Sequence, residues 1–139
     1  MAYVKNSLHC VWGTKNKIRH FTDKNKTRIL DHMRENAKIK GIYIDFINAH
    51  REHVHCIISL PADQALSKTI QLIKGEASYW INKNLITQGK FEWADEYYAA
   101  SISDSHLDNV REYIKNQKIH HTKKTWEEEC TEFFRMNKF

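Results

Sequence analysis

The sequence predicts an α+β domain, an antiparallel sheet with helices on one face, followed by a C-terminal helical extension. Two kinds of periodicity carry this reading. Residues 3–12, 42–48 and 53–60 alternate apolar with polar or small side chains, the period-two pattern of half-buried strands. Residues 22–40 and 66–85 place apolar side chains at three- and four-residue steps, the spacing of one buried helix face. A third observation sets the scale: 139 residues, 41% hydrophobic and 12% aromatic, are enough for one core and too apolar for a disordered chain. One domain over residues 1–139 is expected, with its core in about 1–103 and a helical part in about 104–139.

In the first strand Val4, Leu8, Cys10 and Trp12 fall on one side and Lys5, Ser7 and His9 on the other. Gly13 to Lys17 ends it in a basic turn. Thr22 or Asp23 is placed to cap a helix running to about Lys40, buried through Ile29, Leu30, Met33 and Ala37 and stopped by Gly41. A strand over 42–48 then turns through 49–52 into the strand that begins at His53, and Pro61 closes that hairpin. From Leu66 the apolar steps run through Ile70, Ile73, Ala77, Trp80, Ile81 and Leu85, a second helix. The aromatic-rich stretch 91–103 reads as a fourth strand. Leu107, Val110 and Ile114 mark a third helix capped within Ser103-Asp104-Ser105. His120-His121 interrupts it, and Thr125 with Glu128 forms a capping-box pair opening a last helix that bears Trp126, Phe133 and Phe134. The order strand, helix, strand, strand, helix, strand, helix, helix is that of a ferredoxin-like (RRM-like) sheet with an appended helical segment.

No apolar run approaches the roughly 20 residues of a membrane span, and the N-terminus lacks the layout of a signal peptide. A cytoplasmic protein is expected. Cys10, Cys56 and Cys130 are odd in number and far apart, which argues against a disulfide framework or a cysteine zinc site and for reduced thiols. Twenty-two Lys and Arg against 17 Asp and Glu give a net charge of +5, which favours a polyanionic partner such as nucleic acid.

The chemistry gathers around His53-Val54-His55. On a strand, Val54, Cys56, Ile58 and Leu60 face one way, while His53 and His55 stand together on the other side. Alone, the pair reads more readily as half-exposed strand histidines than as a metal site. Tyr113 and Gln117 lie four apart, beside the buried stripe of the third helix. If that helix covers the histidine face, Gln117 joins His53 and His55 as a third neutral ligand. Open positions then remain for phosphate oxygens, as Lewis-acid phosphoryl transfer requires. Tyr113, with an ordinary pKa of about 10, needs such help to act as a nucleophile. Its attack would conserve the phosphodiester's energy in a phosphotyrosine, so rejoining needs no ATP, and the chain has no Walker loop.

With these residues in place, the chain resembles the HUH-type single-tyrosine transposases of the insertion-sequence 200/605 kind and their domesticated relatives. The likeness runs through His9-Cys10-Val11-Trp12-Gly13-Thr14-Lys15, His53-Val54-His55, Leu72-Ile73-Lys74-Gly75, Tyr98-Ala99-Ala100-Ser101-Ile102-Ser103 and Tyr113-Ile114-Lys115-Asn116-Gln117, followed by His120-His121. The resemblance implies that His53, His55 and Gln117 bind Mg²⁺ or Mn²⁺ and that Tyr113 attacks single-stranded DNA to leave a 5'-phosphotyrosine. It further implies recognition of imperfect hairpins at element ends, and a homodimer in which the tyrosine helix can serve either subunit. Glu52 stands where an aspartate is frequent in the family, so a tuning role survives but not a ligand role. His50, His120 and His121 are further candidates for metal or phosphate contact, though exposed loop histidines are common. Lys15, Lys17, Arg19, Arg51, Lys74, Lys115 and Lys118 are the candidate DNA-backbone contacts.

Two other classes compete. A catalytically silent single-stranded nucleic-acid-binding module would expose aromatic side chains at the centre of its sheet, where this sequence puts histidines. A zinc hydrolase would need a third His or Cys at ligand spacing.

Overall fold

A computed structural model of the chain describes residues 1–117 and 126–137. Four strands, β1 (Ser7–Gly13), β2 (Tyr43–His50), β3 (His53–Ser59) and β4 (Tyr98–Ile102), form one sheet in the order β2-β3-β1-β4. Every neighbouring pair is antiparallel. The helices are α1 (Lys26–Ile39), α2 (Leu66–Lys83), α3 (Leu107–Lys115) and α4 (Trp126–Asn137). Helices α1 and α2 cover one face and α3 packs on β2 and β3. This is the expected α+β, ferredoxin-like arrangement. Lys118, His120, His121 and Thr125, hence the capping box with Glu128, lie outside the described residues, as do the side chains of Trp126 and Phe134.

Alternation decides which face is core. Cys10 and Trp12 of β1 join Val54, Cys56 and Ile58 of β3, together with Ile29, Leu30, Met33 and Ala37 of α1 and Ile70, Ile73, Ala77 and Ile81 of α2. Each fully buried aliphatic side chain contributes about 1.5–3 kcal/mol, so this layer holds the sheet rigid under the opposite face. Cys10 and Cys56 pair directly across β1 and β3 as buried free thiols. Burial pushes the Cys10 thiol up to about 12 and raises Cys56 as well.

Element ends differ from the sequence expectation for identifiable reasons. Strand β1 begins at Ser7, not near residue 3, because its neighbours β3 and β4 pair with it only from Ser7 onward. Thr22 and Asn25 exchange backbone-to-side-chain hydrogen bonds at 2.9 and 3.2 Å, so a capped turn precedes α1. At its other end Gly41 takes φ +72°, and Ile42 and Gly41 donate to the carbonyls of Ala37 and Lys38, a Schellman closure that favours glycine. The same closure ends α2 at Lys83. Leu85 there adopts φ +51° and is 84% exposed, not part of the buried stripe, while Ile86 donates to Ile81 and packs on the core. Residues 91–97 are not strand: Phe91 and Asn82 exchange hydrogen bonds at 2.7 and 2.9 Å. That exchange ties the segment to α2, and only Tyr98–Ile102 pairs with β1 as a strand.

Candidate active site

The second sheet face is built by β1, β2 and β3 and roofed by the C-terminal helices. The tight turn at Arg51, with φ +53°, sets His50 opposite His53 and thereby fixes the register of β3. His53 and His55 then point away from the α1–α2 core, yet they are 0% and 3% exposed. They are not open strand histidines. Their ring centroids are 5.1 Å apart.

What covers them is held deliberately by β2. Asn48 lies opposite His55 and so shares its face. Its amide donates to the Ile114 carbonyl at 2.8 Å. Arg111 of α3 forms a two-pronged ion pair with Asp45 at 2.7 and 2.6 Å, and also reaches Asp108 at 2.7 Å. Planar bidentate pairing fixes orientation as well as distance. These anchors straddle Tyr113 in sequence and turn its ring toward the sheet, 5.8 Å from His55 and 6.4 Å from His9. One turn later, fully buried Gln117 brings Oε1 to 3.3 Å from His53 Nε2.

Sequence reasoning missed one member of this group. Glu129 of α4 is 3% exposed, with Oε2 3.9 Å from His53 Nε2 and Oε1 3.8 Å from His55 Nε2. Ligating atoms of His53, His55 and Glu129 all lie within 4.8 Å of one another, a group able to hold a metal ion. Tyr113 donates its hydroxyl hydrogen to the same carboxylate. Burial, and next this bond to Glu129, raises the tyrosine pKa above its ordinary value, so at neutral pH the phenol keeps its proton and has a carboxylate beside it.

Behind the ligating atoms stand two more groups. Glu52 Oε1 lies 3.7 Å from His53 Nδ1, and Arg19 approaches its other oxygen at 3.9 Å. His9 Nε2 lies 2.8 Å from His55 Nδ1. Sequence alternation does put His9 on this face, but nothing in the sequence pairs it with His55. Burial lowers its pKa from 6.5 to about 4. The unfolded chain therefore takes up a proton that the fold refuses. In the metal-free protein this contribution is whole above pH about 6.5 and is lost as pH falls toward 4, a loss of about 3 kcal/mol. Melting temperature titrated over that window should fall more steeply for the native chain than for His9→Gln.

Of the candidate DNA-contact cations, Lys118 lies outside the described residues and the others differ in setting. Lys15 pairs with Glu92 at 3.1 Å, and Lys17 pairs with Glu127 of α4. Half-buried Lys74 donates to the Ala94 carbonyl at 2.7 Å, and desolvation lowers its pKa. Arg51 and Lys115 are exposed.

A ferredoxin-like sheet that brings a tyrosine, two imidazoles, an amide and a carboxylate to one buried point has the parts of a phosphoryl-transfer enzyme. A family model described as "Transposase IS200 like" matches residues 2–117. The chain belongs to this family of transposases, enzymes that cleave and transfer DNA strands. Helix α4 and Glu129 lie beyond the matched segment. Among solved structures, a candidate transposase from Deinococcus radiodurans R1 is 20% identical, covering 84% of this chain and 95% of its own, with a TM-score of 0.66. A REP-associated tyrosine transposase solved with a REP hairpin is 18% identical, covering 87% of this chain and 72% of its own, also at 0.66. Both share the fold. No curated protein matches the chain.

Proposed function

We propose that the protein cleaves and rejoins single-stranded DNA through Tyr113, using a divalent metal held by His53, His55, Gln117 and Glu129. The observation that carries this reading is the Tyr113 hydroxyl bonded to a carboxylate that also stands between two imidazoles. The donor set fits Mg²⁺ or Mn²⁺: two neutral ring nitrogens, an amide oxygen and a hard carboxylate, without thiolate. Donors sharing an ion at about 2.1 Å are at most about 4.2 Å apart; Gln117 and Glu129 stand 3.3 and 3.9 Å from His53 Nε2 and Glu129 stands 3.8 Å from His55 Nε2, within that limit.

Bound there, the metal supplies Lewis-acid polarisation of a phosphoryl oxygen. The chain's own residues do the rest. Tyr113 Oη attacks phosphorus and passes its proton toward Glu129. The bond from phosphorus to the leaving 3'-oxygen breaks, the 3'-oxygen takes up a proton from solvent, and the 5'-phosphate stays on the tyrosine. A later 3'-hydroxyl reverses the step without ATP. Helix α3, pinned by Asp45 and Asn48, keeps the phenol in line with the histidine face.

Imperfect hairpins are the proposed substrate, supported by the family and by the hairpin in the second structural neighbour. Exposed Arg51 and Lys115 are proposed backbone contacts, and Lys15, Lys17, Arg19, Lys74 and Lys118 are proposed with them. A second copy of the chain is the proposed partner in a homodimer, and the cytoplasm the proposed location. Among the described residues no helix is long and apolar enough to cross a membrane.

The test is incubation of the protein with hairpin-bearing single strands, with and without Mn²⁺, followed by a denaturing gel. A metal-dependent covalent adduct is expected. Tight binding without any adduct would instead favour a nucleic-acid-binding module on the same fold.

A further inference from the structure

Each metal-facing imidazole has a second nitrogen turned away from the site, and the two are backed differently. His53 Nδ1 faces the Glu52 carboxylate at 3.7 Å. His55 Nδ1 faces another imidazole, His9 Nε2, at the shorter distance of 2.8 Å. We propose that His9 is the positioning residue for His55, accepting the Nδ1 proton so that His55 Nε2 presents its lone pair to the metal. This rests on the metal reading above.

The geometry permits few alternatives. A neutral imidazole carries one N–H and one lone pair. Two ring nitrogens 2.8 Å apart therefore meet as one donor and one acceptor. Were His9 Nε2 the donor, His55 would carry its proton on Nε2, aimed at Glu129 Oε1 3.8 Å away, and could ligate nothing there. Only the opposite order leaves that nitrogen free to bind a cation. It requires His9 to hold its own proton on Nδ1.

The setting keeps the pair in register. His9 is opposite Ile57 and His55 opposite Val11 in the β1–β3 ladder, so the two rings are diagonal neighbours on one face. Phe133 of α4 meets the His9 ring edge-on at 5.3 Å and Tyr113 lies 6.4 Å from it. His9 is 8% exposed, so water has little room to replace it as acceptor. Orienting groups of this kind typically alter metal affinity by about 10- to 100-fold when removed.

The experiment measures Mn²⁺ affinity by calorimetry for the native chain, His9→Phe and His9→Gln, and reads the His55 tautomer from ¹⁵N–¹H correlation spectra of the native, Mg²⁺-saturated protein. Phe keeps the ring and removes the acceptor, and affinity should fall about 10- to 100-fold. Gln restores an acceptor near the Nε2 position and should recover most of it. The native spectrum should show His55 protonated at Nδ1, a readout that needs no variant to fold. His9→Phe binding Mn²⁺ as well as the native chain, or His55 protonated at Nε2 in the saturated protein, would overturn the assignment while leaving the metal site intact. A native chain that takes up neither Mn²⁺ nor Mg²⁺ would overturn the metal reading itself, and this proposal with it.

Discussion

Tyr113→Phe is expected to abolish the covalent DNA adduct, a loss of at least about 10³-fold in cleavage rate, because no other group at the site replaces an absent nucleophile. The fold should tolerate it. Phenylalanine keeps the ring contacts to His55 and His9, and removes only the hydroxyl that donates to Glu129. A buried carboxylate that loses one donor costs about 1–3 kcal/mol, which thermal melting will register as a modest shift. Hairpin binding and Mn²⁺ affinity should both survive, since neither uses the phenol oxygen as its main contact. Loss of chemistry with retained binding is the pattern that separates a nucleophile from a packing residue. A variant that still forms adduct at the native rate would move the nucleophile elsewhere.

His53→Ala and His55→Ala are expected to lose metal and chemistry together. Each ring is fully or almost fully buried and aims Nε2 at the Glu129 carboxylate. Removing a ligand outright should weaken Mn²⁺ binding by more than the roughly 100-fold typical of an orienting group. Without the Lewis acid, cleavage loses several kcal/mol of transition-state stabilisation, about 10³-fold in rate. Both variants also leave a hole under α3 and α4, so lowered stability alone would not be diagnostic. The discriminating readout is thermal. Mn²⁺ at 100 times its dissociation constant stabilises a binding protein by about 2.7 kcal/mol, and the native melting temperature should rise accordingly while those of the two variants stay put. A metal-induced rise in either variant equal to the native one would remove that histidine from the ligand set.

Strand alternation and helix spacing make most of the candidate site legible in the sequence. Val54 and Cys56 had to be core, which left His53 and His55 no other face, and a four-residue step put Tyr113 over Gln117. What alternation cannot supply is the height of the roof. The histidines are buried because Asp45 and Asn48 pin α3 to β2, and those are long-range polar contacts with no local pattern. Glu129 was illegible for a related reason. It stands in an acidic first turn, Glu127-Glu128-Glu129, where carboxylates usually serve the helix dipole, and only the docking of α4 onto the sheet singles out the third. His9 was on the right face, but its pairing depends on the β1–β3 register, which one strand's pattern leaves open.

The aromatic stretch after α2 misled in the opposite direction. Phe91, Trp93 and Tyr97 have strand-like composition, yet they pack as an irregular flap. Phe91 is 1% exposed, and Trp93 lies edge-on to Trp12 while donating its ring N–H to the Lys74 carbonyl. Composition reported burial correctly and conformation wrongly. The Asn82 side chain, by satisfying both backbone groups of Phe91, replaces the ladder bonds a strand would have made.

The family match says what kind of enzyme this is, and the buried cluster is where we propose that its chemistry resides. The most direct test is to trap the protein on a hairpin-bearing single strand in Mn²⁺, digest the adduct, and identify by mass spectrometry which residue carries the nucleotide phosphate. A 5'-phosphate esterified to Tyr113 is the expected result. Esterification of Tyr97, Tyr98 or any serine, with Tyr113 unmodified, would contradict it.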